Sequence, residues 1–260
     1  MRDEDDFELI LSAYEFKRRK KGARQIKMTL EGQHGIIMNL KKIRRLMKKF
    51  NLFCPIRKTN PYKRMAKAMQ TSNIAPNRLE RRFKDGNPGQ ILLTDITYLT
   101  YDLNKRAYLS GVKDGVTNEI VAYKVSKSLD VTFVEATMDQ LKYIQLDSNA
   151  LINSDQGFHY TSKSFVSKVK ELGLEQSMSR RGNCWDNAPI ESFFGHMKDE
   201  FSLIDCKTLD EVVKEVNDYM DYYNNYRYQW NLQRMTPKQY GDKLRNKNKK
   251  DSRSLEEQSV

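Results

Sequence analysis

A chain of 260 residues is long enough to bury a core in one large domain or two smaller ones, so size excludes no enzyme class. It carries 46 Lys and Arg against 34 Asp and Glu, a net charge of +12, which favours a polyanionic partner. The first 88 residues hold 23 basic and 9 acidic side chains, whereas the remainder holds 23 and 25. Because the positive charge is concentrated in the first third, we predict nucleic acid as the partner.

Three cysteines, Cys54, Cys184 and Cys206, are odd in number and lack metal-ligand spacing. This pattern predicts neither a disulfide framework nor a zinc site, and it fits a reducing cytosol. No apolar run approaches the roughly 18 residues of a membrane span, and the acidic start "MRDEDDFELI" is not typical of a signal peptide. We therefore expect a soluble intracellular protein without a membrane partner.

Residues 1–54 show the spacing of helices. Phe7, Ile10 and Tyr14 recur at helical intervals, and Gly22 ends that run. A later segment, "LKKIRRLMKKFNL", has apolar residues on one face and Lys or Arg on the other. A helix, a glycine-containing turn and a basic helix predict a small all-α helix-turn-helix-like domain. The candidate DNA-binding residues of the basic helix are Lys41, Lys42, Arg44, Arg45 and Lys48, although a solvated charged face explains the same pattern.

The pattern changes twice beyond this domain. Residues 55–88 contain four prolines and little periodicity, which predicts a basic linker. From residue 89 the sequence predicts an α/β domain that extends to residue 242, and the polar segment 243–260 is expected to be disordered. The predicted elements are strands at 90–100, 106–115 and 119–128, a helix at 131–145, a strand at 149–155, a helix at 162–174, a strand at 175–180, a helix from about 187, and a last helix at 208–227.

Three acids in this predicted mixed sheet flanked by helices are candidates for a site. Asp95 lies inside an apolar strand, Asp155 ends the strand "NALINSD", and Glu191 lies in the first turn of a helix. Each has an ordinary explanation: a hydrogen-bonded strand Asp, a turn Asp, and an acid that offsets the helix dipole. Together they fit Mg²⁺ or Mn²⁺, because converging carboxylates repel one another unless hard cations neutralise them.

Three motifs carry a resemblance to a known family. "TDITYLT", "NSDQGFHYTS" and "RRGNCWDNAPIESFFGHMKDE" closely resemble the catalytic blocks of OrfB-type transposases of bacterial insertion sequences, members of the DDE superfamily that includes retroviral integrases. Between Asp155 and Glu191 lie 35 residues, the interval that this family uses. The resemblance implies a ribonuclease-H-like fold and places the catalytic, metal-binding acids at Asp95, Asp155 and Glu191.

The resemblance also implies DNA contacts. The basic residue seven positions after the glutamate falls on Lys198, where it would meet a DNA phosphate, although a solvated surface lysine is the simpler interpretation of Lys198 alone. Asn183 and Asn187 lie in the loop before the glutamate and are expected to shape the site or contact DNA.

The implied function is a transposase that binds two Mg²⁺ or Mn²⁺ ions, cuts the element's DNA ends and joins the 3′-hydroxyl to another phosphodiester. The implied partners are double-stranded DNA, an OrfA product or an OrfA-OrfB fusion, and further copies of the chain on DNA, in the bacterial cytoplasm at the nucleoid. Two alternatives remain at this point: a ribonuclease-H-like nuclease without strand transfer, and a non-catalytic DNA-binding protein derived from a transposase.

Overall fold

The structure is a computed structural model that describes residues 2–19, 21–54, 74–180 and 183–257. Its first helices are α1 (Arg2–Glu15), α2 (Ala23–His34) and α3 (Leu40–Lys49). Their apolar faces form a separate buried cluster that includes Ile10, Ile26, Leu30, Ile43 and Leu46. The helical spacing predicted for this region is therefore present, and the basic side of α3 faces away from the cluster.

The region predicted as a basic linker divides into two parts. Residues 55–73 lie outside the described residues. Residues 74–88 pack against the following domain: Leu79 is buried in its core, and the backbone N–H groups of Arg78 and Leu79 donate to Ser177 Oγ at 3.1 and 3.2 Å. The prediction of a linker reaching residue 88 is wrong for this second part, because its backbone and side chains have partners in the domain.

The domain is built on a five-stranded sheet. Its strands are β1 (Ile91–Tyr101), β2 (Lys105–Asp114), β3 (Ile120–Ser126), β4 (Leu151–Ser154) and β5 (Glu175–Met178). The order is β3-β2-β1-β4-β5, with β1, β2 and β3 antiparallel and β4 and β5 parallel to β1. This arrangement confirms the predicted mixed sheet, and it puts β1, the strand that carries Asp95, at the centre.

Helices cover both faces of the sheet. One face packs against α7 (Ala188–Glu200) and α8 (Leu209–Asn225) through Leu93, Leu109, Phe193 and Val216. The other packs against α4 (Val131–Asp139) and α6 (Lys163–Glu171), while the short α5 (Phe158–Thr161) follows β4. The alternation of apolar residues along β1 sends Leu93, Asp95 and Leu99 toward the α7 side. Asp95 is therefore directed toward the helix that bears Glu191.

The C-terminal segment differs from its prediction. Residues 243–257 belong to a helix, α9 (Pro237–Glu257), rather than to a disordered tail. Thr236 begins the helix: its hydroxyl accepts from the N–H of Gln239 at 3.2 Å, and the Gln239 side chain accepts from the N–H of Thr236 at 3.1 Å. Arg245 then pairs with Glu119 of the domain at 3.0 Å. The polar composition of the segment led to the prediction of disorder, although "TPKQ" has the pattern of a helix start.

Candidate active site and DNA-binding surface

Asp95 and Asp155 are brought together by the register of β1 and β4. These parallel strands pair Leu93 with Asn153, two residues before each acid. Neighbouring strands lie about 4.8 Å apart, and residues at equal register face the same side of a sheet. Both carboxyl groups also raise the pKa of Tyr160, whose buried hydroxyl is affected first by desolvation and then by these two charges. The two acids thus lie at one place on the sheet.

Glu191 reaches this place because α7 is tied to the sheet at its first turn. The side-chain amide of Asn187 donates to the backbone carbonyl of Thr94, directly before Asp95, at 3.2 Å. Nζ of Lys113 on β2 donates to the carbonyl of Pro189 at 3.1 Å. Behind Glu191 the apolar residues of α7 are buried as predicted: Ile190, Phe193, Phe194 and Met197. Glu191 is half-buried on a different side of the helix.

The electrostatics of the acids reflect this crowding. Desolvation by the surrounding protein raises the pKa of Asp155, and the negative charge of Glu191 acts in the same direction. The N–H of Gly157 donates to Asp155 Oδ1 at 2.8 Å and partly offsets the shift, as does the charge of His159. Asp95 Oδ1 accepts the N–H of Ile96 at 2.8 Å. The structure thus brings two of the acids into electrostatic contact and places the third beside Asp155.

The chemistry of these donors fits a divalent cation. Carboxylate oxygens are the ligands that Mg²⁺ and Mn²⁺ prefer, and like charges held together gain from a cation between them. Within the part of the chain that the structure describes, no three His, Cys, Asp or Glu side chains lie close enough to form a ready metal cage. The donor set therefore fits the ions, while the three side chains are not drawn together into a coordination sphere.

The loop before α7 is held by a charge network that the sequence did not predict. Asp186 is almost fully buried, and its carboxylate accepts from Arg180 at 2.9 and 3.0 Å and from Arg81 at 2.7 Å. The Asn77 side chain also donates to it at 3.0 Å. The bond from Arg180 holds the pKa of Asp186 well below its usual range. This carboxylate joins segment 74–88 to the helix that carries Glu191, and only the concentration of arginines in "RLERR" hinted at it.

The two asparagines predicted as DNA contacts occupy different positions. Asn183 is half-buried and accepts the N–H of Trp185 at 3.3 Å, as a helix cap does. Asn187 is only 3% exposed, and its amide bonds to β1. The predicted DNA contact of Asn187 does not fit this burial. Its position instead fixes the start of α7 relative to Asp95, an interaction across 93 residues that local sequence does not reveal.

Lys198 lies two turns beyond Glu191 on α7, and its side chain is exposed. Its Nζ is 4.3 Å from the centre of the Tyr98 ring, a cation-π contact with a strand residue three positions after Asp95. Lys198 therefore lies exposed on the helix that carries Glu191, next to a tyrosine that the sequence did not suggest, and its contact with a DNA phosphate stays a prediction.

The basic residues of α3 separate into two stripes. Lys42 pairs with Asp6, while Arg45 pairs with both oxygens of Asp3 at 2.8 and 2.7 Å. Lys49 also reaches Asp3, at 2.8 Å. The helical period puts the other predicted residues on a neighbouring stripe, and all three are exposed: Lys41, Arg44 and Lys48. Acids of α1 therefore cover one side of the predicted DNA surface and leave the second stripe on the outside.

Family comparisons cover almost the whole chain. The family described as "Integrase core domain" matches residues 85–184, a second family with the same description matches residues 191–244, and the family described as "HTH-like domain" matches residues 1–60. The three predicted acids fall within these integrase core matches. Among the described residues, no helix is both long and apolar enough to cross a bilayer.

Individual relatives of the chain are also transposases or contain an integrase-type fold. The putative transposase InsK for insertion sequence element IS150 of Escherichia coli K12 is 34% identical over 89% of this chain and 81% of its own length. An uncharacterized transposase-like protein of Haemophilus influenzae is 33% identical over 82% of this chain and 97% of its own length. A chain of the simian T-cell lymphotropic virus intasome, solved with PP2A regulatory subunit B56 gamma, superposes with a TM-score of 0.50 at 16% identity, over 89% of this chain and 74% of that one. The structural likeness supports the integrase-type, ribonuclease-H-like fold.

Proposed function

The chain belongs to the OrfB-type transposases of bacterial insertion sequences, and from this premise we propose that it is a metal-dependent DNA transferase. The proposed reaction cuts the ends of the element and joins each freed 3′-hydroxyl to another phosphodiester. The family accounts for DNA integration in general, and the residues of this chain support the finer assignment.

The observation that carries the proposal is the meeting of like charges at the centre of the sheet. Equal register on parallel strands brings Asp95 beside Asp155, and Glu191 raises the pKa of Asp155. Such a cluster lowers the stability of a protein without a cation, so a functional reason for it is expected. When bound at these carboxylates, two Mg²⁺ or Mn²⁺ ions supply Lewis-acid stabilisation of the attacking and leaving oxygens.

The other residues of the site either hold α7 in position or bind DNA phosphates. Asn187 and Lys113 hold the first turn of α7, which fixes Glu191 relative to β1. Lys198, about 10 Å along α7 from Glu191, provides a positive charge for a phosphate farther along the bound strand, and the exposed stripe of α3 provides further phosphate contacts. Because two DNA ends and a target must be held at once, we propose that the chain acts as an oligomer on DNA, together with an OrfA product or as an OrfA-OrfB fusion at the nucleoid.

A strand-transfer assay tests the proposal. Labelled DNA from the two flanks of the gene is incubated with the protein and Mg²⁺, and cut and joined products are separated. Asp95→Asn and Glu191→Gln are expected to lower both products by more than about 100-fold, since even outer partners of a metal site cost 10- to 100-fold. The matched control is Asp199→Asn, which makes the same change on α7 eight residues beyond Glu191 and should leave activity intact.

The same assay separates the alternatives. Cut DNA without joined DNA would assign the chain to ribonuclease-H-like nucleases that lack strand transfer. DNA binding without either product, and without any response to Asp95→Asn, would assign it to non-catalytic DNA-binding proteins. Chelation of the ions with EDTA should abolish both products while DNA binding through α3 persists.

A further inference from the structure

A groove next to the acids has no role in the chemistry described above. It encloses about 430 Å³ between the end of β1, the β1–β2 turn and the segment that follows α7. Three large side chains at its surface are unusually exposed: Tyr98 by 59%, Leu103 by 79% and Ile204 by 62%. Its volume is in the range of pockets that bind small organic groups, and apolar side chains left in water mark binding surfaces.

The position of the groove relative to the acids can be measured along two elements. Tyr98 lies three residues beyond Asp95 on β1, a rise of about 10 Å, and Lys198 lies seven residues beyond Glu191 on α7, again about 10 Å. Both elements run the same way, since Lys198 meets the Tyr98 ring at 4.3 Å. Stacked nucleotides rise about 3.4 Å along a strand, so the groove lies roughly three nucleotides from the acids.

Charge favours a nucleic-acid occupant over a second copy of the chain. Lys198 lines the groove, and the β1–β2 turn that carries Leu103 is followed by Lys105, which pairs with Asp102 at 2.8 Å. The charged side chain among the lining residues is therefore a cation. A second chain would bring its own net charge of +12 to this groove, whereas a DNA strand brings phosphates.

We propose that this groove binds an unpaired base of the DNA strand whose backbone lies at the acids. The ring of Tyr98 stacks on the base, Leu103 and Ile204 cover its edge, and Lys198 contacts the adjoining phosphate. Since one face of the ring meets Lys198 and the residue is more than half exposed, ring surface remains for stacking. The inference rests on the proposed function for the source of the strand, but binding to the groove needs no catalysis.

The test measures binding in EDTA, without turnover. The probe is a single strand of about 12 nucleotides that contains the fluorescent base 2-aminopurine, with a blunt duplex as the second probe. We expect the wild-type protein to quench the fluorescence, Tyr98→Ala to weaken single-strand binding about tenfold, and Tyr98→Phe to retain it, because a stacked base is worth about 1–3 kcal/mol. Duplex binding should be equal in all three proteins.

The control is Tyr143→Ala, which removes the same side chain from an exposed position outside the groove and should change nothing. Unaltered single-strand affinity of Tyr98→Ala, or an equal loss in Tyr143→Ala, would overturn the proposal. The proposal would also be overturned if the wild-type protein is an oligomer, Ile204→Lys dissociates it, and the affinity for single strands does not change. The groove would then bind a second copy of the chain. A protein that neither cuts nor joins DNA but shows Tyr98-dependent binding would refute the proposed function and keep this inference.

Discussion

The acids of α1 and the candidate acids of the sheet domain have different surroundings. In the helical domain, Asp3 and Asp6 lie against cations of α3, and Arg45 alone gives Asp3 two hydrogen bonds. In the sheet domain, desolvation by the surrounding protein raises the pKa of Asp155, and the charge of Glu191 acts in the same direction. Acids that the protein neutralises with its own cations serve its structure. We propose that the acids near the centre of the sheet instead bind a cation from outside.

A buried ion pair of the sheet domain tests the first part of this contrast, which concerns acids that the protein neutralises with its own cations. Glu200, at the end of α7, is buried with Arg227, which donates to both of its oxygens at 2.9 and 3.0 Å, and Tyr219 donates at 3.1 Å. Glu200→Gln should lower the free energy of unfolding by about 3–5 kcal/mol, because it leaves the guanidinium buried without a counter-charge. Urea denaturation of the two proteins measures the difference.

The matched control removes both charges. In Glu200→Gln combined with Arg227→Met no charge is left unpaired, so much of the lost free energy should return. If the double variant is as unstable as the single one, the pair contributes through its shape and hydrogen bonds rather than through charge compensation, and the contrast with the site acids would lose its electrostatic basis.

Asp155→Asn tests the other part of the contrast, the candidate site acids. This substitution should raise stability, whereas Glu200→Gln should lower it. The folded protein raises the pKa of Asp155 above its ordinary value of 3.8, so the unfolded chain gives up this proton first as the pH increases. The wild-type protein therefore loses stability as the pH rises from the pKa of Asp155 in the unfolded chain to its higher pKa in the folded protein, and this loss of stability persists at neutral pH. In EDTA at pH 7, Asp155→Asn should melt above wild type, and the difference should shrink toward pH 4. Differential scanning fluorimetry across this pH range measures it.

Addition of Mg²⁺ should reverse that order. Under the proposed function the ions bind the folded wild-type protein through its three carboxylates and stabilise it by mass action, whereas the variant lacks one of these carboxylates. Asp199→Asn is the control and should follow wild type in both conditions. Equal melting of wild type and Asp155→Asn with and without the metal would show that Asp155 is neither strained by its neighbours nor a ligand.

Local patterns in the sequence predicted most of the elements. Period-two alternation located β1, and the apolar stripe of α7 predicted both its burial and the separate side of Glu191. The structure has a helix where a disordered tail was predicted, because the polar composition of this segment does not reveal the cap at Thr236 or the ion pair of Arg245 with Glu119. A polar helix of this kind is stabilised by contacts with distant elements, which composition does not reveal.

Contacts over long sequence distances account for what the sequence could not predict in the site. The 35-residue spacing identified Glu191, but the bond of Asn187 to Thr94 and the pairing of Arg81 with Asp186 join segments about 100 residues apart. From local sequence, side chains of this kind are predicted to be exposed polar loop residues, because their partners lie in distant segments that only the fold brings close. For that reason motifs could name the three candidate acids, whereas the residues that fix the start of α7 could not be named from the sequence.

The smallest expected effect on stability belongs to Asp3, an exposed acid with strong partners. Surface ion pairs contribute little to folding, so Asp3→Asn should leave the melting temperature nearly unchanged. It should nevertheless strengthen DNA binding, because Arg45 and Lys49 lose their common partner and become available to phosphates. Two additional phosphate contacts would steepen the slope of log affinity against log salt by about 2, which a fluorescence anisotropy titration at several salt concentrations measures.

Asp5→Asn provides the comparison that isolates the cause, since it removes the same charge two residues away from an exposed position on α1. An effect confined to Asp3→Asn means that the paired acids of α1 restrain the cations of α3 from DNA. An equal effect of both substitutions would mean that net charge alone governs binding. In the first case the acids of the helical domain limit the DNA affinity of α3, so that ion pairs within the protein tune its binding to DNA.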